Sequence, residues 1–202
     1  MNKSFFLTKF KWIVLLAAAI MMTGCASPYL DGNLREIPAS SYKKPAIASP
    51  VQLLFEFQTK GLANARATTA LKDQVVSQVK TSGLFSEVSD GPVPSGATLS
   101  IVINNVALTD ASVTKGVVTG LTFGLVGTQV SDGYVCTATY RAQANAEPIV
   151  KKFLHAIHTN IGTGSAPPNA IKMANLNDAG LQMGKDVVSN MLNDISRDVN
   201  FK

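Results

Sequence analysis

The side chains best suited to catalysis or metal binding are two histidines, His155 and His158, which lie in one predicted β-strand. Imidazole is a common general base and a common zinc ligand. Residues three apart on a strand point to opposite faces, so these two rings cannot bind one metal ion together. His155 shares a face with Phe153 and Ile157. This pattern indicates a histidine in the core or at its boundary rather than a catalyst.

Other catalytic patterns are missing from the sequence. It contains no Gly-x-Ser-x-Gly elbow, no Cys-x-x-Cys pair and no phosphate-binding loop. The glycine-rich stretch 162–165 continues into Ala-Pro-Pro, which is typical of an ordinary loop. No two carboxylates are spaced for acid–base work, and the last predicted helix carries its carboxylates as a solvated face: Asp178, Asp186, Asp194 and Asp198. We therefore expect no enzymatic activity, no cofactor and no metal site.

The N-terminus has the organisation of an export signal. Three lysines precede an uncharged apolar run, residues 12–22, which ends in Thr23-Gly24-Cys25. A basic segment, a short apolar segment and small residues before a cleavage point describe a secretory signal peptide. The apolar run is shorter than the roughly 20 residues that a membrane-spanning helix requires.

Thr23-Gly24-Cys25 resembles the lipobox of bacterial lipoproteins, with Met22 where that family usually has leucine. The resemblance implies cleavage between Gly24 and Cys25, a diacylglycerol on the Cys25 thiol and an acyl chain, such as palmitate, on its amine. Several acyl chains make membrane attachment effectively permanent. Ala26 rather than aspartate follows the cysteine, which implies the outer membrane of a Gram-negative envelope, with the domain facing the periplasm. The alternative is an ordinary cleaved signal followed by a chance cysteine.

The composition of the mature chain limits the classes of partner that it is expected to bind. Removal of residues 1–24 leaves 178 residues and lowers the net charge from +5 to +2. A nearly neutral chain gives no electrostatic indication of nucleic-acid binding. Trp12, the single tryptophan, lies in the removed segment. Cys136 then remains as a lone cysteine in an alternating run, and we expect a buried, unreactive thiol.

The sequence divides into three regions. Residues 1–24 are the predicted signal peptide, residues 25–50 a tether that begins with the acylated cysteine, and residues 51–202 one domain. Four prolines and no apolar period predict an extended tether that could hold the domain up to roughly 75 Å from the membrane.

Residues 51–202 read as strand, helix, strands and helix. Apolar residues alternate in 51–58, 134–142 and 149–161, whereas they recur every three to four residues in 65–82 and 178–199. This order predicts an α+β fold with an antiparallel sheet of about four to five strands and two helices packed on one face.

The phrase Gly83-Leu84-Phe85-Ser86-Glu87-Val88 after the first helix, together with this order, resembles small periplasmic lipoprotein domains. Examples are the curli-secretion lipoprotein, the lipoprotein activators of penicillin-binding proteins and the auxiliary lipoproteins of lipid transporters. The resemblance is topological and covers most of residues 51–202. It implies a protein that binds or scaffolds other envelope components without catalysing a reaction.

An uncharged, glycine-rich segment, residues 116–131, is the most unusual part of the domain. Three interpretations remain open: a connection packed over the sheet, an apolar tip that enters the membrane or lines an oligomer, and a docking surface for a partner. Its candidate contact residues are Gly116, Gly120, Leu121, Phe123, Gly124 and Leu125.

These observations lead to one expectation and two alternatives. The first is a lipid-anchored adaptor or assembly component that faces the periplasm and binds an envelope protein or another copy of itself. The alternatives are an accessory protein that binds lipid or glycolipid, and a component that assembles into a ring or pore.

Overall fold

The computed structural model describes residues 26–106, 129–162 and 165–201. Within these ranges the elements follow the order of the chain. They are β1 (Ala26–Leu30), β2 (Ser49–Thr59), β3 (Leu62–Ala63), α1 (Ala65–Thr81), β4 (Phe85–Ser89), β5 (Thr98–Val106), β6 (Gln129–Arg141), β7 (Ile149–Ile161), β8 (Ile171–Lys172) and α2 (Leu176–Ser196). A short 3-10 helix, Ala39–Ser41, lies between β1 and β2.

All the strands join one mixed sheet of eight strands. The order across it is β3-β2-β5-β6-β7-β1-β8, and β4 pairs with β2. The predicted α+β class is confirmed, whereas four to five strands and a purely antiparallel sheet were wrong. β2 pairs in parallel with both β4 and β5. The parallel pairing follows from α1, because a helix that crosses back over the sheet returns the chain to the end where β2 began.

The register defines the two ends of the sheet. We call one end of the sheet the basal end. β1 and β6 begin there, and β2, β5 and β7 end there. Ala26 lies opposite Ile161 there, and Gln129 lies opposite Asn160. Both helices also begin at the basal end. α1 follows the β2–β3 hairpin directly, and the residue after β8, Met173, donates its backbone N–H to Pro28 of β1.

Residues 26–50 pack against the domain, and the predicted tether was therefore wrong. β1 pairs with β7 along its full length, and Leu30 and Tyr42 are buried. The next residues cross α2 and use its polar side chains. Ile37 N–H donates to Ser189 Oγ at 3.0 Å, and Lys43 N–H donates to Ser196 Oγ at 3.2 Å. These bonds satisfy backbone groups that an apolar helix surface would leave unpaired.

Each helix begins after an asparagine that caps its N-terminus, and the two helices lie parallel to each other. Asn64 caps α1 by accepting a hydrogen bond from Ala67 N–H, and Asn175 caps α2 by accepting one from Asp178 N–H. The predicted start of the second helix, residue 178, was thus two residues late. Each helix buries an apolar stripe against the strands: Leu71, Val75 and Val79 in α1, and Met183, Val187, Met191 and Ile195 in α2.

Two glutamines and a glycine set the contact between the helices. Gln74 Nε2 donates to Leu181 O at 2.9 Å, and Gln78 Nε2 donates to Lys185 O at 3.0 Å. From the first bond to the second, the donor and the acceptor are each four residues further along the chain. The contacting faces of α1 and α2 therefore run in the same direction. Gly184 lies between these two bonds and leaves room for the Gln74 side chain.

Candidate functional site

The sequence-predicted site residues fall outside the part of the chain that the structure describes. These are Gly24 and Cys25 at the proposed processing site and Gly116, Gly120, Leu121, Phe123, Gly124 and Leu125 in the glycine-rich segment. Both regions are nevertheless joined to described residues at the basal end. Cys25 precedes Ala26, and residues 107–128 connect Val106 to Gln129.

His155 forms a buried pair with a carboxylate that sequence reasoning had placed in solvent. Its Nε2 lies 3.2 Å from Asp186 Oδ2, and Gln182 Nε2 donates to Asp186 Oδ1 at 2.9 Å. His155 Nδ1 accepts the Ala156 N–H at 2.8 Å, which assigns the proton to Nε2 and makes that atom the donor to Asp186. His155 and Asp186 are 1% and 3% exposed, so a substrate cannot reach them.

His158 lies on the opposite face of β7, as strand alternation predicts. Its Nδ1 is 2.7 Å from the hydroxyl of Ser131 on the neighbouring strand. Burial lowers the pKa of His158, the carboxylate of Asp31 opposes this shift, and the nearby His155 adds to it. The two histidines therefore occupy separate polar environments, each with its own partner.

Metal-binding and thiol chemistry receive no support from the described residues. Within 26–106, 129–162 and 165–201, no three His, Cys, Asp or Glu side chains gather closely enough to hold a metal ion. Cys136 is fully buried, and burial raises the pKa of its thiol. A protonated thiol without solvent access is a poor nucleophile, which agrees with the predicted structural role.

An apolar cavity of about 180 Å³ opens between the first turns of the helices and the sheet. Phe57 and Tyr134 form its floor, and Leu176 stands at its edge. The two rings meet edge to face, with centroids 6.3 Å apart. Burial raises the pKa of Tyr134 to about 12, with a further contribution from the charge of Asp132. Pockets that enclose whole ligands usually measure about 300–1,000 Å³, so this cavity fits only a small apolar group.

Exposed apolar side chains also lie along the basal end, a feature that sequence reasoning missed. Of the eight large apolar side chains that are exposed in the described ranges, four lie at the basal end. They are Leu62, Val130, Ile161 and Leu176, with exposures of 75%, 40%, 51% and 54%, and we call them the apolar rim. Each belongs to a different element, so no local pattern in the sequence could have grouped them.

No helix among the described residues has the length and apolar character needed to cross a bilayer. No protein-family model matches the sequence, and no curated protein matches it. Solved structures with some likeness include a PelC dodecamer variant from Paraburkholderia phytofirmans, at 11% identity and a TM-score of 0.37, covering 84% of this chain and 98% of that one. A second is an uncharacterized protein, at 13% identity and a TM-score of 0.32, covering 77% and 95%. Likeness at this level carries no argument about function.

Proposed function

We propose that this chain is a non-enzymatic lipoprotein of a bacterial envelope, held in the outer membrane by acylated Cys25, whose periplasmic α+β domain binds or assembles with another envelope component. The observation that carries the proposal is the lipobox-like Thr23-Gly24-Cys25 and its position relative to the fold. Every residue that the structure describes, from Ala26 onward, follows this point, so cleavage before Cys25 would leave all of the described domain in place.

Burial of the chemical groups supports a binding role over catalysis. The His155–Asp186 pair and the Cys136 thiol are enclosed in the core, where they can stabilise the fold but cannot contact a ligand. Accessible features of the basal end, among the described residues, include a small apolar cavity and the apolar rim. Exposed apolar groups of this kind usually mark contacts with proteins or membranes.

The anchoring part of the proposal is tested by a pair of cysteine substitutions. Cells expressing wild-type, Cys25→Ser and Cys136→Ser protein are labelled with an alkyne fatty acid and fractionated. We expect label and outer-membrane localisation in the wild type and in Cys136→Ser, and loss of both in Cys25→Ser. Label that persists in Cys25→Ser, or retention of that variant in the outer membrane, would refute anchoring through Cys25.

The second candidate function, binding of a lipid or glycolipid, is favoured by the apolar lining of the cavity between the helices. Its volume argues for a partial rather than a complete lipid chain. Native mass spectrometry of mildly solubilised protein separates the two functions. A stoichiometric lipid beyond the anchor, reduced in an Ala67→Leu variant that fills the cavity, would favour lipid binding. Its absence would favour the adaptor role.

A further inference from the structure

The four residues of the apolar rim lie on one side of the sheet, the side that carries the helices. Thr59 is two residues after buried Phe57 and therefore lies on the same side of the sheet, the helix side. Leu62 pairs with Thr59 and lies on that side as well. Val130 is four residues before Tyr134, which lines the helix-side cavity, and the β6–β7 register has no break between them.

The remaining two members follow in the same way. Ile161 is six residues after His155, whose partner Asp186 belongs to α2, and β7 alternates regularly between them. Leu176 is the first residue of α2. Four elements therefore carry exposed apolar side chains on the helix side of the basal end.

The apolar rim is wide enough to act as a surface. Leu62 is on β3 and Ile161 is on β7, which are separated by four strand spacings in the sheet order. At about 4.8 Å per spacing, they are about 19 Å apart across the sheet. The register also places Leu62 level with His155, which is six residues or about 20 Å before Ile161, so Leu62 and Ile161 lie about 28 Å apart on a diagonal of the basal end. Val130 on β6 falls between them. A surface of this width can contact an apolar layer through several side chains at once.

The position of Cys25 identifies what this surface meets. Cys25 is bonded to Ala26, and Ala26 pairs directly with Ile161. Opposed Cα atoms of an antiparallel pair are about 4.5–5.5 Å apart, so the described chain begins beside Ile161, at the residue to which Cys25 is bonded. Because residues 26–30 are part of the sheet, no tether separates the anchor from the rim.

We propose that the apolar rim rests in the interfacial layer of the lipid bilayer and orients the domain with its basal end toward the membrane. This inference rests on the proposed acylation of Cys25. Acyl chains at Cys25 would hold the rim at the bilayer surface, where exposed apolar side chains lose contact with water. The anchor and rim together would fix the orientation of the domain, which a lipid on a long tether could not do.

Tryptophan fluorescence provides a direct test, because Trp12 is the only tryptophan in the sequence and precedes Cys25. The processed protein should thus have no tryptophan background. Single substitutions Leu62→Trp and Ile161→Trp place a probe on the rim. Val199→Trp is the matched control, since Val199 is 86% exposed and follows α2 at the opposite end. Each full-length variant is expressed, purified with its native modification and reconstituted into phosphatidylcholine vesicles, with or without doxyl-labelled lipid.

We expect the emission of both rim probes to shift to shorter wavelength on reconstitution and to lose intensity with doxyl lipid. The Val199→Trp probe should show neither change. Water-like, unquenched emission from both rim probes would overturn the inference. Equal quenching at residue 199 would also overturn it, because the domain would then have no fixed orientation. A shift without quenching would show that a second copy or another protein covers the rim instead of lipid.

Failure of the anchor and failure of the orientation have different signatures. Tryptophan emission from the unsubstituted protein would show that residues 1–24 were retained, and failure to float with vesicles would show that no anchor holds it. Either result contradicts the proposed function. Flotation with unquenched rim probes contradicts only the orientation.

Discussion

Two glycines of α2, one turn apart, test how the helices are held together. A methyl group built at Gly184 would lie 2.9 Å from Gln74 Nε2 and 3.6 Å from a methyl carbon of Leu71. The same group at Gly180 meets no heavy atom within 4 Å. Gln74 is a flexible side chain whose amide donates to Leu181 O. Gly184→Ala should therefore displace Gln74 and break that bond, whereas Gly180→Ala should disturb nothing.

The expected magnitudes follow from these contacts. Replacing glycine with alanine inside a helix contributes about 1 kcal/mol. Gly180→Ala should gain this amount, which corresponds to a rise in Tm of roughly 2–4 °C for a domain of this size. At Gly184 the gain is offset by loss of one hydrogen bond, worth about 0.5–1.5 kcal/mol. The free energy of unfolding should then change by less than about 0.5 kcal/mol.

Urea unfolding followed by circular dichroism, on protein expressed from residue 26, measures both variants. The decisive comparison is repeated in a Gln74→Ala background, where Gly184→Ala should stabilise as much as Gly180→Ala does. A difference between the two glycines that persists without Gln74 would show that the backbones themselves are in contact. Equal stabilisation in the wild-type background would show that Gln74 makes no contribution there. Either outcome refutes the reasoning.

Three further predictions concern the buried polar groups. Burial lowers the pKa of His158 below its usual 6.5, so near and below this pH the unfolded chain binds a proton that the folded chain excludes. The free energy of unfolding should therefore fall as pH drops below 6.5. His158→Gln should flatten that part of a stability–pH curve. Asp186→Asn should destabilise by about 1–3 kcal/mol in urea titrations, because an amide cannot accept from both His155 and Gln182, whereas Asp194→Asn should have little effect. The Cys136 thiol should react with a thiol reagent only after denaturation, and reaction in the native state at the unfolded rate would contradict its burial.

Regular elements of the domain could be predicted because their patterns are local. Alternation from Val51 to Phe57 marks β2, and apolar residues every four positions from Ala67 to Val79 mark α1. Parallel pairing of β2 with β5 was missed because alternation is the same in parallel and antiparallel strands, although the helix between them is the kind of crossover that parallel strands require. β1 was missed because five residues with a proline carry little pattern of their own and gain their stability from β7.

Two errors about the sequence concern the surroundings of α2. Residues 25–50 were expected to be a tether, and Asp186 was expected to be solvated. In the structure, residues 35–43 cover the polar face of α2, where Asn190 Nδ2 donates to Arg35 O at 2.7 Å. Other polar side chains of α2 bond this covering segment in the same way, whereas the Asp186 carboxylate accepts from His155 of β7. Hydrophilic residues of α2 therefore satisfy buried polar groups and do not indicate solvent. The apolar rim was missed because its members belong to separate elements, which only the tertiary fold brings to the basal end.

The central claim is that Cys25 is the first residue of the mature chain and carries its lipid. Intact-mass measurement of protein extracted from membranes in detergent tests this most directly. The account predicts loss of residues 1–24 and an added mass equal to one diacylglyceryl group plus one acyl chain, assigned to Cys25 by fragmentation. An unmodified Cys25, or a chain cleaved at another position, would contradict it.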